Sequence, residues 1–323
     1  MQFRRMTESK NNCKSTACPE CHKPHLEKVS TAIEQEKKIK FILPAFPGKS
    51  PNPAKVLGHL PDMAEKKALI FLNDLCKQIQ EIYEPGAKVI ICSDGRVFSD
   101  VVGISEKNVT DYQIEIDCII RELNLTALST FNLDDIYDCI DINNDFDEAR
   151  TELIDSYGQD LTSLKGKIKR GGKESGSPEE IEANVMYCGL TRFLVEDLML
   201  PEQTRSKSSI QKECKEKAYL AIIRSNAWTS LIAEKFPEAI RFSIHPQACG
   251  SQKIGIQLLG TETWTTPWHA VAVNTGNKFV LMKHQEAKKL NTKLIQDKNG
   301  NPSHYELIRE GENATHELES SII

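Results

Sequence analysis

The sequence predicts an α/β fold: a Rossmann-like mixed sheet flanked by helices, with an antiparallel, strand-rich C-terminal part. Three observations carry this. A helical pattern with one apolar face, Leu72, Leu75, Cys76, Ile79 and Ile82, feeds a short apolar run at Ala87–Cys92 that ends in a polar loop. A second long helical stretch covers about Ser208–Lys235. After it, short apolar runs alternate with turn residues.

In chain order, residues 1–40 are polar and basic and read as an appendage with a short helix from about Val29 to Lys38. The main domain, 41–323, opens on the apolar Phe41–Phe46. Pro44, Pro47, Pro51 and Pro53 forbid a helix across Pro44–Pro53. Asp62 and Glu65 form the spacing of a capping box for the helix that follows, and Pro85-Gly86 ends it. Asp111–Asp160 carries fourteen acidic residues against two arginines, so it should be helical in pieces and well solvated. Leu164–Pro178, rich in Lys, Gly and Ser, is expected to be a flexible loop, able to act as a lid. Ser177, Pro178 and Glu180 mark a clean helix start. Strands are expected at Ala239–Ile244, Lys253–Leu259, Ala270–Asn274 and Lys278–Met282, the last two joined by a Thr275-Gly276-Asn277 turn.

The bulk properties exclude several classes. A net charge of −5 gives no basic face for nucleic acid. No apolar run is long enough to span a membrane, and the N-terminus lacks the apolar segment of a signal peptide, so the expected location is cytoplasmic. In that compartment the ten cysteines should be free thiols or metal ligands rather than disulfides. Oligomeric state is not legible.

Four motifs carry chemistry. In FPGKSPN, Phe46–Asn52, Lys49 offers a charge, Ser50 a hydroxyl and Asn52 an amide, in a proline-stiffened loop suited to a phosphate or carboxylate. The glycine spacing is not that of a nucleotide-binding loop, and an ordinary surface loop is the simpler reading. In CSDGRVFSD, Cys92–Asp100, Ser93 and Asp94 lie just past a strand, where α/β sheets bind ligands. Arg96 could there clamp an anion, with Asp94 and Asp100 orienting it; the competing reading is a tight Asp-Gly turn with a solvated arginine. In RFSIHPQ, Arg241–Gln247, the proline holds His245 in an extended backbone, with Lys253 shortly after. In TPWH, Thr266–His269, Trp268 could pack on an aromatic or sugar face and His269 could be a second acid–base group. Structural histidines are the competing reading for both.

Two metal-like patterns stand apart. Cys13, Cys18, Cys21, His22 and His25 give a compact C-x4-C-x2-C-H-x2-H string, with Cys13, Cys18, Cys21 and His25 as zinc candidates. It lacks the long spacer of a standard finger. Asp141, Asn143, Asp145, Asp147 and Glu152 imitate a calcium loop, but Phe146 stands where glycine is required, and the reading is rejected.

FPGKSPN, PGAKVIICSDGRVFSD, KAYLAIIRSNAW, RFSIHPQ, KIGIQLL and TPWHAV occur in this order from about Phe41 to Leu281. In that order they resemble the pyoverdine- and dityrosine-biosynthesis family, which includes the bacterial isonitrile synthases. The resemblance implies a lyase-type enzyme of secondary metabolism. It would turn the α-amine of tyrosine or tryptophan into an isonitrile, with ribulose 5-phosphate as carbon donor and a Schiff base as intermediate. It implies no redox cofactor or catalytic metal, and an iron/2-oxoglutarate oxygenase as a pathway partner. On that reading Lys49, Ser50, Asn52, Ser93, Arg96 and Arg224 serve the phosphate and carboxylate. His245, His269 and Asp94 move protons, Lys253 stabilises phosphate or an enolate, and Trp268 lines the aromatic pocket. Two alternatives stay open: a dityrosine-type enzyme making a formyl or acyl tyrosine, and a non-catalytic metal-binding interaction protein.

Overall fold

The computed structural model describes residues 18–137, 146–200, 202–259 and 264–308. Its central layer contains β1 (Ile39–Pro44), β2 (Ala87–Cys92), β3 (Leu128–Phe131), β4 (Ile240–Ser243) and β5 (Lys253–Gly255). They lie in the order β3-β2-β1-β4-β5, and every pairing is parallel. The chain winds outward from β1 to one side and then from β4 to the other. That reversal opens a crevice beyond the carboxyl ends of β1 and β4.

The period-two alternation of β1 and β2 sends side chains into two cores. Phe41, Leu43, Val89 and Ile91 pack with Leu69 and Leu72 of α2 (Met63–Gln80) and Ile116 and Ile119 of α4 (Glu106–Glu122). Ile42, Ile90 and Cys92 face Leu153 of α5 (Asp147–Tyr157) and Trp228, Leu231 and Ile232 of α8 (Lys207–Lys235). Each fully buried Leu or Ile there contributes roughly 1.5–3 kcal/mol. The expected Asp62–Glu65 capping box starts α2, and the expected Ser177–Glu180 box starts α7 (Pro178–Leu198).

A second sheet has the order β7-β6-β9-β8, from β6 (Val271–Asn274), β7 (Phe279–Met282), β8 (Thr292–Gln296) and β9 (Pro302–Leu307). The expected hairpin is the antiparallel pair β6–β7; β8–β9 is a second antiparallel pair that was not expected, while β6 and β9 run parallel. Gly276 turns the first hairpin at φ +89°.

Three local expectations are corrected. Much of Leu164–Pro178 is not a loop but the greater part of a helix, α6 (Leu161–Gly171), capped by Asp160. Leu164 and Ile168, four residues apart, seat it on Ile222 and Ile223 of α8. The SDGR segment is not a turn between strands: Gly95 opens α3 (Gly95–Val102). In the N-terminal segment, α1 (Pro19–Glu34) begins well before the expected helix, and Lys28 Nζ donates to the Ala239 carbonyl at 2.7 Å. Asp141, Asn143 and Asp145 lie outside the described residues. Among the described residues no helix is long and apolar enough to cross a membrane.

Candidate active site

The loop after β1 crosses the carboxyl edge of the sheet and presses on the start of α3. A Cβ on Gly95 would lie 2.2 Å from the Pro47 carbonyl oxygen, so only glycine fits. Phe46 takes the left-handed region at φ 59°, which is rare for a bulky residue and held here by burial.

The same loop builds the first acid–base cluster. Asp197, buried on α7, accepts hydrogen bonds at Oδ1 from Ser50 Oγ at 2.7 Å and Lys55 Nζ at 2.6 Å. Its Oδ2 faces His269 Nδ1 at 4.0 Å. Asn52 Nδ2 donates to the Glu196 carbonyl at 2.8 Å, and the Phe193 ring meets the imidazole edge-on at 4.8 Å. Burial holds the His269 pKa down to about 4; Asp197 opposes the shift, and Lys55 and Lys49 add to it. The side chain is 23% exposed although Nδ1 is enclosed, so a neutral ring presents another edge to solvent.

Lys49 is committed elsewhere. Its Nζ lies 2.9 Å from Asp62, 2.8 Å from Glu65 and 3.1 Å from the Pro267 carbonyl. An ammonium has three protons, and these contacts take all of them. Burial works against the charge, but the two carboxylates outweigh it and hold Lys49 above its ordinary range. Glu65 is pushed up to about 7, chiefly by burial. Lys49 thus ties the KSPN loop to TPWH, and the geometry gives its charge to the protein rather than to an incoming anion.

The second cluster lies on the α8 face of the sheet. Asp94, at the end of β2, is pushed up to about 7 by burial, against its own backbone hydrogen bond and the charge of Arg241. Arg241 of β4 is held below its ordinary range by burial. Asp94 Oδ1 and Arg241 Nε are both buried without a hydrogen-bond partner among the described residues. Arg241 sits in register with Lys253 of β5. Lys253 is lowered by burial and by Arg241. His245, at the rim, is lowered by the surrounding protein and then by Lys253, so it too favours the neutral form. Two cations, a carboxyl near neutrality and an imidazole therefore converge with unused hydrogen-bonding capacity.

Arg96 and Arg224 belong to neither cluster, and the expected pairing of Arg96 with Asp94 and Asp100 is not formed. Arg96 donates from Nη1 to Glu106 at 2.9 Å, from Nη2 to Thr110 at 2.5 Å and from Nε to Asp134 at 3.4 Å, and stacks over Phe146. Arg224 donates to Asp100 at 2.5 Å and to the Val97 carbonyl at 3.1 Å. Arg150 completes the mesh through Glu106, Ser99 and the Arg96 carbonyl. These guanidiniums lock α3 in place. Trp268 is buried in the core against Phe46, ring centroids 5.2 Å apart, and its carbonyl accepts from the Ser50 backbone. Ser93 donates to the Phe46 carbonyl at 2.9 Å and lines a small cavity with Gln113 and Asn132.

A family model described as "Pyoverdine/dityrosine biosynthesis protein" matches residues 29–295. The chain belongs to this family. It is 47% identical over 288 residues to an L-tyrosine isonitrile synthase of Xenorhabdus nematophila, covering 89% of this chain and 83% of that one. It is 44% identical over 305 residues to the L-tryptophan isonitrile synthase AmbI2 of Fischerella ambigua, covering 94% and 88%. The crystal structure of the PvcA protein from Pseudomonas aeruginosa superposes with a TM-score of 0.82 at 43% identity, covering 90% of this chain and 92% of that one.

In this pyoverdine/dityrosine family chain, the matched region holds the whole central sheet and both clusters. Sequence reasoning missed Lys55, Asp197 and Arg241 as site residues. Lys55 and Arg241 stood beside the KSPN and SIHPQ motifs and carried that much signal. Asp197 sits in a helix with no motif around it and had none. Of the zinc candidates, Cys18, Cys21 and His25 lie on or at the start of α1, and Cys13 lies outside the described residues.

Proposed function

We propose that the chain is an isonitrile synthase acting on the α-amino group of tyrosine or tryptophan, with ribulose 5-phosphate as carbon donor, in secondary metabolism. The observation that carries this reading is the Asp94–Arg241–Lys253–His245 cluster, with its unsatisfied buried atoms, at the carboxyl edge of the parallel sheet. Relatives at 44–47% identity named for tyrosine and tryptophan isonitrile formation support it.

The reaction needs proton transfers more than any other help. The amine condenses with the sugar ketone and releases water. The ketone carbon becomes the isonitrile carbon, so both of its carbon–carbon bonds must break. The atoms balance when the products are the isonitrile, a one-carbon aldehyde, a three-carbon hydroxyketone, phosphate and water. No external oxidant or reductant is required.

Asp94, with a pKa near 7, can both take and return a proton at the carbons beside the Schiff base. Neutral His245 serves as a base at the rim. Arg241 and Lys253 present the charge that a phosphate or an enolate needs. The Asp197–His269 pair supplies the second proton relay. The isonitrile is then a substrate for a pathway iron/2-oxoglutarate oxygenase.

The test is incubation of the purified chain with ribulose 5-phosphate and each aromatic amino acid, followed by mass spectrometry. The expected product has gained one carbon and lost two hydrogens. A formyl or acyl adduct, or no ribulose 5-phosphate dependence, would overturn the reading.

A further inference from the structure

We propose that Cys18, Cys21 and Cys249 are thiolate ligands of one structural zinc ion, which pins α1 to the loop between β4 and β5. The three sulfurs lie within 4.8 Å of one another. Cys249 Sγ is 3.7 Å from Cys18 Sγ and 3.4 Å from Cys21 Sγ. A tetrahedral ion with Zn–S bonds of about 2.3 Å sets its sulfurs about 3.7–3.8 Å apart, so the cluster is close to ligand spacing. A disulfide would need about 2.05 Å, far shorter than either distance to Cys249.

The backbone presents these sulfurs as a zinc site requires. Cys18 caps the start of α1, and Cys21 lies three residues on, facing the domain and buried. The partner comes from 228 residues away. Ala248, Cys249, Gly250 and Ser251 form a tight turn closed by the Ser251 N–H on the Ala248 carbonyl at 3.2 Å. Gly250 takes φ +77°, the left-handed position that such a turn reserves for glycine. Its backbone comes so close to α1 that an added Cβ would touch the Glu20 carbonyl at 3.9 Å. Three soft thiolates on two separate elements select zinc over hard cations.

A closed structural site takes four ligands. The three sulfurs supply three of them, the only such group among the described residues. The family match begins at residue 29, so the ion would join an extension outside the matched region to a loop inside it. That loop runs from His245 to Lys253. Gln247 Nε2 donates to the His245 carbonyl at 3.1 Å, and Ser251 Oγ bridges Gln247 Oε1 and the Lys253 N–H. The ion would therefore hold the loop that carries two residues of the proposed site.

The test is metal content, which does not depend on the reaction. The full chain is purified without a metal-binding tag, and zinc is measured by mass spectrometry of the elements. About one zinc per chain is expected, falling below about a tenth in Cys249→Ser and Cys21→Ser. Cys188→Ser, on the exposed face of α7, should keep it. A strong chelator should lower the thermal midpoint of the wild type and leave that of Cys249→Ser unmoved. Zinc-free protein with every thiol titrating as free, a Cys249 disulfide, or iron in place of zinc would each overturn the proposal.

Discussion

Nδ1 of His269 stops 4.0 Å short of Oδ2 of Asp197, and neither atom has a hydrogen-bond partner among the described residues. A normal bond between them would be about 2.7–3.2 Å long, so a movement of about 1 Å joins them. The other oxygen, Oδ1, is already anchored by Ser50 and Lys55, so the carboxylate is fixed and the imidazole is the part free to swing. Substrate arrival is the natural trigger, because catalytic hydrogen bonds tighten in the loaded site. Replacing His269 by Ala should lower kcat by about 100-fold or more with the thermal midpoint little changed. Asp197→Asn, which orients the ring less well, should cost less than His269→Ala. Wild-type kcat in His269→Ala would remove this pair from the site.

Asp94 makes a prediction of opposite sign for stability and activity. Its carboxyl is raised from 3.8 to about 7 in the folded chain. The folded form therefore keeps a proton that the unfolded form gives up, and stability falls as pH rises from about 4 to about 7. Asp94→Asn removes that loss. Its stability advantage over wild type should be absent near pH 4 and grow to about 1–3 kcal/mol by pH 8, after allowance for the partial exposure of Asp94. Turnover should drop sharply in the same variant, and the ionisation near 7 should vanish from its pH–rate profile. Parallel urea titrations of the two proteins at pH 4, 6 and 8 provide the check. A difference that stays flat across that range would show that Asp94 is ionised throughout.

Lys49→Met tests whether KSPN binds a ligand or braces the fold. The variant leaves Asp62 and Glu65 buried side by side without a counter-ion. Removing one partner of a buried ion pair costs about 3–5 kcal/mol. The urea midpoint should fall accordingly, with little selective effect on KM for ribulose 5-phosphate. An unchanged midpoint with a raised KM would instead return Lys49 to the anion site.

The α/β class was legible because helix and strand periods alternate cleanly from Asp62 to Cys92, and because caps such as Ser177–Glu180 are local chemistry. α6 was not, because two apolar residues among lysines and glycines look like a loop until α8 gives them a surface. At the site, the loops were legible but the use of their charges was not. Lys49 and Arg96 look as available as Arg241 in sequence, and only packing reveals which charge has been consumed. Asp197 and Cys249 are defined wholly by partners far along the chain, Ser50 and Cys21, and no local pattern could have paired them.

Arg96 and Arg241 therefore make a contrasting pair. Every donor group of Arg96 is engaged by Glu106, Thr110 or Asp134, and its loss opens the mesh that holds α3. Arg96→Ala should lower the thermal midpoint, and Lys should not rescue it, since an ammonium cannot span those three partners. Arg241 has a buried Nε with no partner among the described residues and lies in register with Lys253. Arg241→Met should keep the fold, because an apolar side chain of similar length suits a half-buried strand position. It should raise KM for ribulose 5-phosphate about tenfold or more, the cost of losing one charge-assisted contact to phosphate. It should also move the Asp94 ionisation to higher pH, because Arg241 is the charge that holds that carboxyl down against burial. The alkaline shift separates direct electrostatic contact from a general loss of packing. A raised KM without it would place the phosphate on Arg241 but Asp94 outside its field.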